Sequence, residues 1–374
     1  MNRRMLALLT TAAAAGALAL APQAATAGGG GGGGGEPTVT TLNSTVGAPF
    51  NLEVTHHGLL VADGGPGQIS KLNKDGTLTT VVPDVVGASG IAKSRNALAY
   101  TSTTSDEATF TNTASSLEIQ YRWGKHVHAD TLAFETKKNP DKKNTYGIEN
   151  PTACQEALLA PLGGASYTGA IDSHAYSVAS WGKKWIVADA GGNDLLVVDG
   201  KGRIRTLAVL PPQKAAITQA FLDANFPPGV DTSCLVGAEY AFEPVPTDVE
   251  VKDGWLYVTT LPGGAEDDSL GARGAVWKLN LHTGKFFMLT DGLSGATNVA
   301  VNSRGRIFVT ELFAGRVSEV RWQSVKPLVD IPGAVSIEAG RHDNLYVGTL
   351  DPTFQGPGSI VVIKGKSHHR VWQN

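Results

Sequence analysis

The fold is decided by a stretch that reads Asn51-Leu52-Glu53-Val54, then Gly58-Leu59-Leu60-Val61-Ala62-Asp63-Gly64-Gly65, then Gln68-Ile69-Ser70-Lys71-Leu72. Asn73-Lys74-Asp75-Gly76 turns the chain into a fourth run, Thr77 to Val82. The runs carry β-branched and other apolar residues and are bounded by Gly, Asp or Asn, as half-buried strands require. The unit returns at Tyr176-Ser177-Val178-Ala179 with Trp185-Ile186-Val187-Ala188-Asp189-Ala190-Gly191-Gly192. Further copies open at Asp248-Val249-Glu250-Val251, Asn298-Val299-Ala300-Val301 and Val335-Ser336-Ile337-Glu338, with a weaker one at Gly90-Ile91-Ala92. Four antiparallel strands, repeated six times, describe the blades of a β-propeller, where each blade buries the faces of its neighbours. The expectation is an all-β chain: a six-bladed β-propeller with helical loop insertions on one face. Val39 to Leu42 supplies the missing strand of the last blade. A β-sandwich or a two-domain chain is the alternative, and six copies of one pattern weigh against it.

Composition agrees. The 374 residues include 45 Gly and 19 Pro, and only 17% are charged. That argues against a coiled coil, a helical bundle or a charged disordered chain.

First strands recur about 40 residues apart at both ends of the repeat, but the interval widens to about 86 before the third copy and about 71 before the fourth. The excess defines two insertions, about 130–170 and 211–244. Asn150-Pro151 predicts a helix running through Ala160. Gln213 to Asn225 predicts another, with Ile217, Phe221 and Leu222 on one face before Pro227-Pro228. A third long loop spans Pro262 to Arg273. Strand alternation brings all three to one face, which marks a working surface. Cys154 falls in the first insertion and Cys234 in the second. An even pair in an exported chain predicts a Cys154–Cys234 disulfide. Closing so long a loop contributes about 4 kcal/mol in the chain-entropy model.

Export is read from residues 1–27, a signal peptide: basic Arg3-Arg4, apolar Leu6 to Ala21, and the small-x-small site Ala25-Thr26-Ala27. A membrane anchor is the alternative, but this Ala-rich stretch is interrupted by Thr10 and Thr11 and is poor as a span. Gly28 to Gly35 are consecutive glycines, so 28–36 reads as a flexible leader. Residues 37–374 form one propeller domain. Cleavage removes Arg3 and Arg4 from 31 basic residues and none of the 34 acidic ones, taking the net charge from −3 to about −5. Nucleic acid is therefore not an expected partner. No later segment is apolar enough to span a bilayer, and the mature chain is read as a secreted monomer.

Several segments resemble a known family. They are Val187-Ala188-Asp189-Ala190-Gly191-Gly192-Asn193, Ala129-Asp130 leading to Asn139-Pro140-Asp141, Asp172-Ser173, and Pro246-Thr247-Asp248-Val249. Together they are similar to the secreted propeller family of the scytonemin gene cluster (ScyD/ScyE type), over about Pro49 to Ile363. The resemblance implies an NHL-like six-bladed propeller and names no activity. Where that family carries Asp-Ser-Asn-Pro-Tyr-Gly, this chain reads Asp172-Ser173-His174-Ala175-Tyr176-Ser177.

Polar residues expected at the mouth of the central funnel are Asp63, Asp172, His174, Asp189, Asp248, Asn298 and Glu311. Asp63 and Asp189 recur at one repeat position, so they read as turn formers. Asp172, His174, Asp248, Asn298 and Glu311 are the candidate ligand-binding set. Carboxylates with amides suit a hard cation, calcium being the cofactor to consider. Likeness to metal-dependent lactonases stays architectural, since Ala48-Pro49-Phe50 puts no acid at the start of the first blade. Ser173-His174 is not a hydrolase pair, because adjacent strand residues face opposite ways. No Gly-x-Ser-x-Gly elbow occurs. Trp181, Trp185, Trp255 and Trp277 could stack on sugars or pack between blades. His368-His369-Arg370 reads as a flexible tail. Two functions follow: a binding or scaffold propeller engaging a protein, glycan or small molecule at the loop-rich face, and, as the alternative, a metal-assisted hydrolase or lyase with its site in the funnel.

Overall fold

A computed structural model describes residues 37–106, 108–265 and 268–364. The signal-peptide and leader readings, and the His368 tail, lie outside the described residues. Within them the chain is mostly β, laid out as seven four-stranded antiparallel sheets.

Six sheets carry the sequence repeat. The first runs Pro49–Thr55, Gly58–Asp63, Gln68–Leu72, Leu78–Val82, and the second Ile91–Lys93, Ala97–Asp106, Thr111–Tyr121, His126–Asp130. The third is Ala175–Trp181, Lys184–Asp189, Asp194–Asp199, Ile204–Val209. The fourth is Pro246–Lys252, Trp255–Thr260, Gly274–Asn280, Phe286–Leu293, and the fifth Ala296–Val301, Ile307–Glu311, Arg316–Arg321, Ser324–Asp330. The sixth joins Ala334–Ala339, Leu345–Thr349 and Gly358–Lys364 to Thr38–Val46, so segments from opposite ends of the sequence share one sheet. The expected closing strand Val39 to Leu42 lies inside that last segment.

The first strands of these six sheets pack on one another in cyclic order, the sixth returning to the first. Apolar residues of facing sheets interlock between them. Trp185, Val187 and Leu196 of the third meet Ala99, Leu117 and Ile119 of the second. Ile186 and Leu195 meet Leu256, Val258 and Trp277 of the fourth. The inner strands of each sheet are thereby largely removed from water on both faces, which is why few charges occur in them.

The seventh sheet is built wholly from the insertions, in the order Ser166–Thr168, Thr145–Gly147, Glu239–Phe242, Gln213–Ala216. It adds a sheet to the helices expected there. Helix α1 is Thr131–Lys138, capped by Asp130. Helix α2 is Ala153–Leu159, and its cap is Thr152 in a capping box with Gln155, while Asn150 takes a positive φ outside it. Helix α3 is Gln219–Asn225, shorter than predicted, because Gln213–Ala216 pairs with Glu239–Phe242 and Thr218 caps the helix. Ile217, Phe221 and Leu222 do share a buried face, packed with Leu159, Leu235, Tyr240 and Phe242.

Cys154 and Cys234 are joined by the disulfide, with Cα atoms 6.5 Å apart. Beside it Gln155 Nε2 donates to the Cys234 carbonyl at 2.9 Å. The third loop joins the same cluster: Ala265 and Leu270 pack into it, Thr218 donates to the Ser269 carbonyl, and the Arg273 guanidinium lies 4.5 Å from the Phe242 ring centroid. Among the described residues, no helix is long and apolar enough to cross a membrane.

Candidate functional site

Acids at the end of the second strand serve the backbone. Asp63 accepts from the Gly47 and Ala48 amides, Asp189 from the His174 and Gly192 amides and the Ser173 hydroxyl, and Glu311 from the Ser294 amide. In each sheet the carboxylate ties the incoming loop to the second strand, satisfying amides that would otherwise be buried without partners. Glu311 thus occupies the same repeat position as Asp63 and Asp189. It is fully buried, paired with Arg316 at 2.7 Å and accepting from Ser318. In the third sheet glycine follows the acid's turn for a steric reason. A Cβ on Gly191 would lie 2.8 Å from the His174 amide nitrogen.

Asp248 and Asn298 lie elsewhere, on the inner strands that line a central cavity of about 150 Å³. Asp248 accepts from Asn51 Nδ2 at 3.1 Å across the ring, from the Ser177 hydroxyl of the neighbouring sheet, and from the Val299 amide at 2.9 Å. Asn298 Oδ1 accepts from the Ile337 amide at 2.9 Å, and its Nδ2 is buried without a partner. Burial raises the Asp248 pKa to about 6, the hydrogen bonds opposing that rise. These bonds knit the first, third, fourth, fifth and sixth sheets together at the middle of the ring.

Further along the same strands stand Glu53, Glu250 and Glu338, half-buried. Burial drives all three pKa values up, and for Glu250 and Glu338 the neighbouring carboxylates add to it. The funnel set read from the sequence omits them. Their signal was an acid two residues after the start of the motif in Asn51-Leu52-Glu53, Asp248-Val249-Glu250 and Ser336-Ile337-Glu338.

Asp172 and His174 belong to a third place, where the first insertion meets the third sheet. Asp172 accepts from Asn112 Nδ2 at 3.0 Å. His174 is buried edge-on to Tyr176, with Nε2 unpartnered, and burial lowers its pKa to about 4. Asp130, Asn139, Asp141 and Asn193 gather here. Asp130 caps α1, Asn139 Nδ2 donates to the Gly169 carbonyl, and Asp141 accepts from Tyr146 at 3.0 Å and Asn193 at 3.1 Å. Asn193 also accepts from the Val245 amide, linking this corner to the fourth sheet. Glu135 and Asp194, absent from the sequence-read set, are buried in the same corner.

The five candidate residues are therefore distributed over three settings: a central cavity, a loop tether and an insertion junction. Of the tryptophans, Trp185 and Trp277 pack between sheets, Trp181 and Trp255 are half-buried, and Trp123 and Trp322 are exposed. Among the described residues, no three His, Cys, Asp or Glu side chains already converge to hold one metal ion.

No protein-family model and no curated protein matches the chain. Solved structures do. A putative glucose-dehydrogenase-type oxidoreductase from Thermus thermophilus matches at TM-score 0.52 and 14% identity, over 87% of this chain and 99% of that one. The PQQ-bound aldose sugar dehydrogenase of Streptomyces coelicolor matches at TM-score 0.50 and 12% identity, over 87% and 98%. Virginiamycin B lyase from Staphylococcus aureus matches at TM-score 0.44 and 14% identity, over 84% and 86%. At such identities likeness speaks for fold alone. The chain has a β-propeller fold.

Proposed function

We propose that this chain is an exported six-bladed β-propeller of the scytonemin-cluster type that acts as a binding or scaffold module. Residues 37–374 form its single domain, and the partner, a protein or glycan, docks on the insertion-bearing face. One observation carries the reading. Two insertions are folded into an ordered sheet with a disulfide, and a third loop packs into its apolar cluster. A chain that needed only a propeller would not order about 70 extra residues, at about 1–2 kcal/mol of backbone entropy each. Exposed apolar side chains on this face, Ile171, Val230 and Val236, offer contact surface.

The test is surface labelling of the exported protein with and without material from its own cell envelope. Protection over 139–171 and 211–240 is expected. Protection confined to the opposite hairpin ends, around Trp123 and Trp322, contradicts it.

A second reading, metal-assisted hydrolysis or elimination in the central cavity, is favoured by Glu53, Glu250 and Glu338. Burial raises the Glu53 and Glu250 pKa values to about 8, which would suit proton transfer near neutral pH.

A further inference from the structure

The repeat supplies its own control for the corner occupied by Asp194. In these sheets, the last residue of the second strand faces the first residue of the third. In the first sheet Asp63 faces Gln68, and in the fifth Glu311 faces Arg316, whose guanidinium neutralises it at 2.7 Å. In the third sheet Asp189 faces Asp194. Like charges opposed in a cross-strand pair are destabilising, and here both side chains are 1% exposed. Asp189 is satisfied by Ser173 and two amides. Asp194 is not, because both of its carboxylate oxygens are buried without a hydrogen-bond partner.

A third acid closes on the pair. Glu135, on α1, is 2% exposed with Oε1 unpartnered. A Cβ built on Gly192 would lie 3.4 Å from both Glu135 Oε2 and the Asp189 carboxyl carbon, so these two groups flank one backbone position. One turn beyond Glu135, Asn139 Oδ1 is also buried without a donor. Asp141 completes the electronegative wall. Buried acids without counter-charge must take up protons or a cation.

We propose that Glu135 and Asp194, with the Asn139 amide oxygen, hold a divalent cation, calcium being the ion that suits an all-oxygen set. The ion stands where the fifth sheet places the Arg316 guanidinium. Two carboxylates anchor it, and amide or backbone oxygens fill the shell. It pins α1 and the first insertion to the third sheet, separately from the central cavity.

The experiment strips the full exported chain with chelator and titrates it with calcium alone. One equivalent is expected to bind at neutral pH and to raise Tm by about 5 °C. Terbium in place of calcium is expected to emit on tyrosine excitation, since Tyr146 donates to neighbouring Asp141. Asp194→Asn and Glu135→Gln should each weaken binding at least about tenfold, whereas Glu250→Gln in the central cavity should not. Calcium-free Asp194→Asn should melt above calcium-free wild type, because the like-charge pair is gone. The proposal is overturned if stripped wild type takes up no calcium, if both corner variants bind as wild type does, or if Glu250→Gln alone removes binding.

Discussion

Two residues show how burial sets chemistry here. His174 is buried, and burial lowers its pKa to about 4. A histidine whose folded pKa is depressed contributes stability above its unfolded value of about 6.5 and loses it as pH falls towards 4. Wild type should lose roughly 3 kcal/mol from this group across that window. Denaturant titrations at the two ends should show a smaller loss in His174→Asn; parallel losses would exonerate His174. Glu311 gives the opposite case, a fully buried carboxylate that depends on Arg316. Arg316→Met should cost about 3 kcal/mol, by leaving that charge unpaired.

At the scale of elements, the insertions are the part least visible in the sequence. The sequence pointed to helices there, but it set the α2 cap at Asn150 rather than Thr152, and Gln213 to Ala216 looked like the start of a helix. Its strand character comes from pairing with Glu239–Phe242, some 25 residues away in the chain, which no local pattern reports. The disulfide was legible because it needed only an even pair of cysteines in a chain read as exported. Replacing both cysteines with serine should cost about 2–4 kcal/mol. Hydrogen exchange should then speed up in 145–168 and 213–242, and much less in the six repeat sheets. Phe221→Ala, at 1% exposure in the same cluster, should cost about 3–5 kcal/mol and loosen the same segments.

For the whole molecule, the repeat disclosed the ring because each copy obeys one packing rule. Leu52, Val178, Val249, Val299 and Ile337 hold equivalent inner-strand positions and are all buried. The site was less legible, because a repeat hides function behind geometry. Glu311 looked singular, yet it is the fifth sheet's version of Asp63. Glu53 and Glu338 looked ordinary, yet they share the cavity with Glu250. Asp194 looked like a strand residue, and only the Arg316 and Gln68 counterparts reveal its missing partner. Sequence position names the repeat slot, but charge compensation across sheets needs the fold.

Whether the insertion face or the central cavity meets the partner is decided by envelope co-sedimentation of two paired variants. One carries Ile171→Asp and Val236→Asp on the exposed insertion face, and the other Glu250→Gln and Glu338→Gln inside the ring. Both should keep the wild-type melting profile to within a few degrees, so that binding is compared between folded proteins. The first variant should lose binding at least about tenfold, and the second should retain it. Retention by the first with loss by the second would contradict it, and would place the function in the ring.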